Sequence, residues 1–162
     1  MKYFFDTEFI EDGKTIELIS IGVVAEDGRE LYCISSEFDD LNANDWVREN
    51  VLSKLPHPWR RADAPVWFTR EAIKNQVLAF VGQDKPEFWG YFADYDWVVF
   101  CWLFGTMMNL PKDWPMYCRD IKQLCDDMGN PKLPDQENEH NALDDAKWNK
   151  AAYEFLKEID NA

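Results

Sequence analysis

Two carboxylates near the start of the chain, Asp6 and Glu8, have a spacing suited to binding a metal ion. They lie two residues apart in a segment with the aromatic composition of an internal strand, so both side chains are expected on one face of a sheet. Burying two ionised acids beside Phe4, Phe5 and Phe9 is unfavourable unless a divalent cation neutralises them. The alternative is a solvent-facing edge strand, where the carboxylates need no cation.

A third acid, Asp96, opens an apolar stretch that predicts a buried helix over residues 97–104. Val99, Phe100 and Leu103 follow at helical spacing and share the face of Asp96, which directs its carboxylate toward the interior. The alternative is an acid that only stabilises the start of the helix through the helix dipole. We expect Asp94 to be the capping residue, which leaves Asp96 available for another role.

The last candidate residues, His140 and Asp145, lie at the start of a predicted helix over residues 142–159. Asp145 lies at the margin of an inward-facing stripe formed by Ala142, Ala146, Asn149, Tyr153 and Leu156. In a continuous helix His140 would point about 140° away from Asp145, so both reach one site only if His140 lies on the preceding loop. A loop histidine beside acids suits a general base, and a lone surface histidine is the alternative.

Three β-prone segments at the N-terminus are expected to carry the first of these acids. They span residues 2–9, 16–25 and 30–36, and Asp-Gly pairs at Asp12-Gly13 and Asp27-Gly28 separate them. Such pairs favour tight turns between antiparallel strands, so the segments predict an antiparallel meander.

The remainder of the chain alternates between helical and strand patterns. Thr69 is expected to cap a helix in which Ile73, Val77, Leu78 and Val81 have helical spacing. Residues 88–92 predict a buried strand and residues 55–65 an irregular loop, and two more helices are predicted at residues 45–52 and 119–128. This order predicts an α/β fold with a mixed sheet covered by helices.

Composition limits the classes of protein further. With 162 residues and 46% apolar side chains, the chain is expected to form a single domain spanning residues 1–162. A net charge of −14 repels phosphate and argues against non-specific binding along duplex DNA. The same charge suits an enzyme that holds only the end of a strand through bound cations. The alternative explanation of the charge is that it keeps the protein soluble.

Cysteines and the N-terminus predict the compartment. The four cysteines have no CxxC spacing, which disfavours a zinc site and a disulfide framework and indicates reduced thiols. The chain begins with Met-Lys and enters a strand without a signal-like apolar segment, so we expect a soluble, cytoplasmic protein.

Together, the acidic motifs resemble those of a known enzyme family. Asp6-Thr7-Glu8, Tyr95-Asp96 and the HxAxxD pattern from His140 to Asp145 are similar to the three motifs of the DEDDh exonucleases, in the RNase H-like superfamily. Residues 3–24 resemble more closely the RNase AS group of polyadenylate-specific 3′-exoribonucleases, whereas residues 57–86 match poorly. The resemblance implies an RNase H-like mixed β-sheet, with a three-strand antiparallel meander plus parallel strands, flanked by helices.

The resemblance also implies a mechanism and a substrate. Asp6 would bridge two Mg²⁺ or Mn²⁺ ions, Glu8, Asp96 and Asp145 would complete their shells, and His140 would deprotonate the attacking water. The substrate would be the 3′ end of single-stranded, adenylate-containing RNA, the products nucleoside 5′-monophosphates, and the enzyme a homodimer. Phe9 is a candidate for stacking on the terminal base, with core packing as its alternative. Other functions to be distinguished are an oligoribonuclease, a 3′-5′ DNA exonuclease and a non-catalytic binding module.

Overall fold

The protein contains a mixed, six-stranded sheet with strand order β4-β3-β2-β1-β5-β6. A computed structural model describes residues 1–57 and 66–161. The first three strands, β1 (Lys2–Glu11), β2 (Ile16–Ala25) and β3 (Glu30–Ser35), form the predicted antiparallel meander. The other three are short and pair in parallel with their neighbours: β4 (Trp67–Phe68), β5 (Glu87–Gly90) and β6 (Arg119–Asp120).

Five α-helices accompany the sheet in the described part of the chain: α1 (Asp45–Asn50), α2 (Arg70–Val81), α3 (Asp94–Trp102), α4 (Ile121–Asp127) and α5 (Ala142–Asp160). Short 3₁₀ helices lie at Asp40–Asn42, Leu52–Lys54 and Met107–Asn109. Thr69 caps α2 as expected, since its side chain accepts a hydrogen bond from the Ala72 N–H. The predicted α/β class with a mixed sheet is confirmed.

Consecutive residues of β1 point to opposite faces of the sheet, and each face has its own core. Phe5 packs in a cluster with residues of α2 and α3, including Ile73 and Phe100. Phe4 packs on the other face with residues of α4 and α5, including Leu156. By the period of two, Asp6 and Glu8 lie on the same face as Phe4, toward α5.

Two local predictions were wrong. Asp94 does not cap α3, because the cap position is Ala93, whose N–H donates 2.8 Å to the Asp120 carboxylate instead. The helix predicted from residue 119 begins only at Ile121, since Arg119 and Asp120 pair with β5. Asp120 then caps α4 through hydrogen bonds from two backbone N–H groups. Parallel pairing with a distant strand overrides the local helical pattern here.

Other predictions concern the ends of elements, the cysteines and membrane association. The strand predicted over residues 88–92 ends at Gly90, and Phe92 lies outside it with a positive φ of 51°. The predicted loop 55–65 and the poorly matching stretch 57–86 both include residues 58–65, which lie outside the described residues. All four cysteines are free thiols. Within the described ranges, no helix combines the length and apolar character needed to cross a membrane.

Candidate active site

The site begins on β1, where Asp6 and Glu8 are partly buried side chains facing α5. In the antiparallel pairing with β2, Asp6 lies opposite Gly22 and Glu8 opposite Ser20. The register shifts directly after Glu8, between Glu8 and Phe9. An irregularity at this point ends the regular pairing next to the second carboxylate, as bulges beside active sites commonly do.

Helix α5 brings the third carboxylate, that of Asp145, onto this pair. One carboxylate oxygen each from Asp6, Glu8 and Asp145 lies within 4.8 Å of the other two. The close approach depends on Gly22, because any β-carbon there would collide with the backbone carbonyl of Ala142 at the start of α5. Asn149 fixes the helix further along, since its side-chain N–H donates 2.9 Å to the Phe5 carbonyl.

The fourth predicted carboxylate, Asp96, lies beside this group but is directed to β1 backbone. It is 7% exposed in the first turn of α3, and its Oδ1 accepts hydrogen bonds from the N–H and hydroxyl of Thr7. Its negative charge still acts on Asp6 and Glu8 and raises the pKa of both. The structure therefore brings three acids together and places the fourth next to them, held by the residue between Asp6 and Glu8.

Burial acts on all four acids, and repulsion within the group acts on Asp6 and Glu8. Burial, followed by the charges of the neighbouring acids, raises the pKa of Asp6 well above its ordinary value. The same two causes raise the pKa of Glu8 to about 8. Burial raises the pKa of Asp96 to about 6 despite its hydrogen bonds from Thr7, and it raises the pKa of Asp145 also. Crowded oxygen ligands of this kind fit a hard divalent cation, whose charge removes the repulsion.

His140 lies on the loop before α5, as predicted, with its side chain 34% exposed. Its backbone N–H donates 3.0 Å to Asp145 Oδ2, and its backbone adopts a positive φ of 68°. Gln136 donates a further hydrogen bond to Oδ1 of the same carboxylate. Together with Asp6, these three residues line a pocket of about 130 Å³. The loop geometry thus puts the imidazole and the acids around one cavity.

Phe9, the predicted base-stacking residue, lies at the edge of a second pocket. Its ring is partly buried and approaches the Tyr95 ring with centroids 6.0 Å apart. Glu8, Trp46 and Val47 line the same pocket. The core-packing alternative also has support, because Phe9 contacts the apolar cluster under α3.

Several residues of the site had not been predicted as functional. The role of Thr7 could have been found from the sequence, because a residue between Asp6 and Glu8 in a strand must point to the opposite face of the sheet. The role of Gly22 could also have been found, since a glycine inside an apolar strand often marks a close approach of another backbone. Gln136 has no sequence signal that we can identify.

The fold is similar to that of two solved nucleic-acid-processing proteins with an RNase H-like fold. Pop2p of S. pombe superposes with a TM-score of 0.52 at 14% identity, covering 96% of this chain and 81% of Pop2p. Exonuclease I superposes with a TM-score of 0.54 at 12% identity, covering 99% of this chain and 43% of that one. At such low identity these similarities establish the fold alone.

The family follows from sequence similarity. The profile of the 3′-5′ exoribonuclease Rv2179c-like domain matches residues 1–156. The 3′-5′ exoribonuclease Rv2179c of Mycobacterium tuberculosis is 45% identical over 166 residues, covering 100% of this chain and 96% of that protein. This chain belongs to the Rv2179c-like 3′-5′ exoribonuclease family. The predicted enzyme class, a 3′-5′ exoribonuclease with an RNase H-like fold, is thereby confirmed.

Proposed function

We propose that this protein degrades single-stranded RNA from the 3′ end, one nucleoside 5′-monophosphate at a time, with two Mg²⁺ or Mn²⁺ ions. The observation that carries the proposal is the convergence of Asp6, Glu8 and Asp145 oxygens within 4.8 Å in a member of a 3′-5′ exoribonuclease family. An all-oxygen ligand set favours these two metals over zinc. Residues 1–162 would form a single catalytic domain.

The four acids would divide the two ions between them. Asp6 is the natural shared ligand, because the charges of Glu8, Asp96 and Asp145 all act on its carboxylate. Both hydrogen bonds from Thr7 go to Oδ1 of Asp96, so Oδ2 would be the oxygen that holds a cation. When bound, the cations supply a lowered pKa for the attacking water and a counter-charge for the leaving 3′ oxygen.

His140 would accept the proton of the attacking water. Its imidazole lines the same cavity as Asp6 and Asp145 and remains open to solvent. An imidazole suits this step because histidine can accept and release a proton near neutral pH. The hydrogen bond from the His140 backbone to Asp145 fixes the distance between the base and the acids.

The terminal nucleotide would lie across Glu8, with its base in the pocket beside Phe9. Base stacking on an aromatic ring is a common means of holding single strands, and it suits a chain with few cations for phosphate binding. The preference for adenylate is proposed from the resemblance to the RNase AS group. Phe9→Leu is expected to raise KM for adenylate RNA several-fold while leaving the melting temperature within about 2 °C, because leucine preserves the core contact.

Turnover of defined substrates tests the activity. The purified protein is incubated with 5′-labelled RNA and DNA of equal length, with open or blocked 3′ ends, in Mg²⁺, Mn²⁺ or chelator. We expect stepwise shortening of open-ended RNA, release of 5′-monophosphates and no turnover in chelator. Faster degradation of polyadenylate than of other homopolymers supports the adenylate preference. Degradation of DNA alone would overturn the RNA assignment, and activity in chelator would overturn the metal mechanism.

An exposed apolar surface supports a homodimer. It is formed by α3 and the following loops, and its exposed apolar side chains are Val98, Trp102, Met107 and Met116. Light scattering after gel filtration should give twice the mass of one chain, and Trp102→Glu should give the monomer mass. Leu41→Glu, an equally large change at an exposed site outside this surface, should leave the dimer intact.

The four free thiols support a reducing compartment, so we place the enzyme in the cytoplasm.

A further inference from the structure

The loop that carries His140 is held on its outer side by residues 46 and 54. Lys54 donates a hydrogen bond of 2.6 Å from its ammonium group to the backbone carbonyl of Glu139. Trp46 meets the His140 imidazole edge to face, with ring centroids 4.8 Å apart. The imidazole and the backbone of the residue before it are therefore both contacted from the same neighbouring segment.

That segment is anchored to the sheet that carries the metal-binding acids. Val51 is 2% exposed and packs in one cluster with Ile10 of β1 and Ile19 of β2. Asn44 caps α1 through the Val47 N–H, and the 3₁₀ helix that ends at Lys54 follows directly. Trp46 and Lys54 thus belong to a segment that is packed on the sheet, and their contacts set the position of the His140 loop relative to the sheet.

The loop has reason to need support on both sides. A positive φ is unfavourable for a residue with a side chain, and at His140 it persists because surrounding contacts impose it. Asp145 supplies the inner contact through the His140 N–H. The outer contacts come from Trp46 and Lys54, which we term the His140 clamp.

We propose that the His140 clamp is a positioning device that holds the general base over the acidic cluster, with Lys54 acting through His140. The proposal rests on the role given to His140 in the proposed function. Lys54 donates one N–H of its ammonium group to the Glu139 carbonyl, and its positive charge also lowers the pKa of Glu8. It is not assigned contact with the substrate.

Kinetics of paired variants separate positioning from substrate contact. Lys54→Met is expected to lower kcat about 10-fold with KM changed less than about 2-fold, because displacing a base by a fraction of an ångström slows proton transfer. Lys54→Arg should recover most of the loss, since it keeps a donor. Lys150→Met should leave both constants unchanged; Lys150 likewise donates to a backbone carbonyl, that of Glu26, outside the site.

The double variant gives the decisive kinetic comparison. In a His140→Ala background, Lys54→Met should have less than about a 2-fold further effect, because the group through which Lys54 acts is gone. A further loss of about 10-fold, or a raised KM in the single variant, would mean that Lys54 acts on RNA, on metal or on the Glu8 carboxylate, whose pKa its charge lowers, and would overturn the proposal. Unchanged kcat in Lys54→Met would overturn it as well.

An NMR measurement that needs no RNA cleavage tests the His140 clamp independently of the proposed nuclease activity. The chain has two histidines, so the two imidazole Cε1–H signals in a ¹H–¹³C spectrum can be assigned with a His57→Gln variant. Lys54→Met and Trp46→Leu should each shift or broaden the His140 signal, whereas Lys150→Met should not. An undisturbed His140 signal in both variants would refute the clamp even in an active enzyme. Wild-type protein that fails to cleave RNA would refute the proposed function, while the spectrum still decides the clamp.

Discussion

Replacing Glu8 by glutamine is expected to stabilise the metal-free protein while removing its activity. Burial and the charges of Asp145 and Asp96 raise the pKa of Glu8 from 4.5 to about 8. The folded protein therefore holds this proton more tightly than the unfolded chain does. Stability from this group is fully present below about pH 4.5 and is lost as pH rises toward 8, where the carboxylate ionises among other acids.

The size of the stability change follows from the difference between the pKa of Glu8 in the folded and unfolded protein. A pKa change from 4.5 to about 8 corresponds to at most about 5 kcal/mol, at about 1.4 kcal/mol per pKa unit. Water that reaches the partly buried carboxylate screens the repulsion, so we expect about 2 kcal/mol at pH 8. For a domain of this size, that difference raises Tm by about 6 °C. At pH 5 the two proteins should differ by less than about 1 kcal/mol, because Glu8 is then protonated in the fold.

Urea unfolding in chelator at pH 5 and pH 8 measures both differences, with Glu158→Gln as a control at an exposed carboxylate of α5. Mg²⁺ should reverse the ranking, since the ion binds the folded wild type and stabilises it by mass action, whereas the glutamine variant has lost a charged ligand. If the Glu8→Gln protein is no more stable than the wild type at pH 8 in chelator, the repulsion argued for this cluster is absent.

Three further substitutions test separate parts of the site. Asp96→Asn should lower kcat at least ~10²-fold, because a metal contributes several kcal/mol, yet keep the circular dichroism spectrum, since the amide oxygen still accepts the bonds from Thr7. His140→Ala should lower kcat by roughly 10² to 10⁴ with unchanged thermal unfolding; full activity in either variant contradicts the site assignment. Gly22→Ala should lower Tm by about 8 °C, equivalent to about 3 kcal/mol, because its methyl group displaces Ala142 and α5; calorimetry showing wild-type Tm would contradict that packing.

Features encoded by neighbouring residues could be predicted from the sequence. The meander follows from two Asp-Gly turns between β-prone runs, and the shared face of Asp6 and Glu8 follows from the period of a strand. The position of Asp145 at the margin of an inward stripe follows from helical geometry, and Asp145 is 9% exposed. Each of these depends on contacts within a few residues along the chain.

Features created by long-range contacts could not be predicted. Asp120 serves both α4 and the Ala93 N–H because β6 pairs with β5, and nothing near Asp120 in the sequence specifies that partner. The positive φ of His140 could not be predicted either, since it depends on contacts of its loop with Asp145 in α5 and with Lys54 in a distant segment. Asp96 shows the limit for a functional group: helical spacing predicted its burial, whereas its bonds to Thr7 required the fold.

The acids that converge in this site come from opposite ends of the polypeptide. Asp6 and Glu8 belong to the first strand and Asp145 to the last helix, so the ribosome makes two of the three long before the third. A nascent chain that has folded its meander still lacks the helix that closes the cluster. The cluster of three carboxylates can therefore form only after α5 has been synthesised and packed on β1.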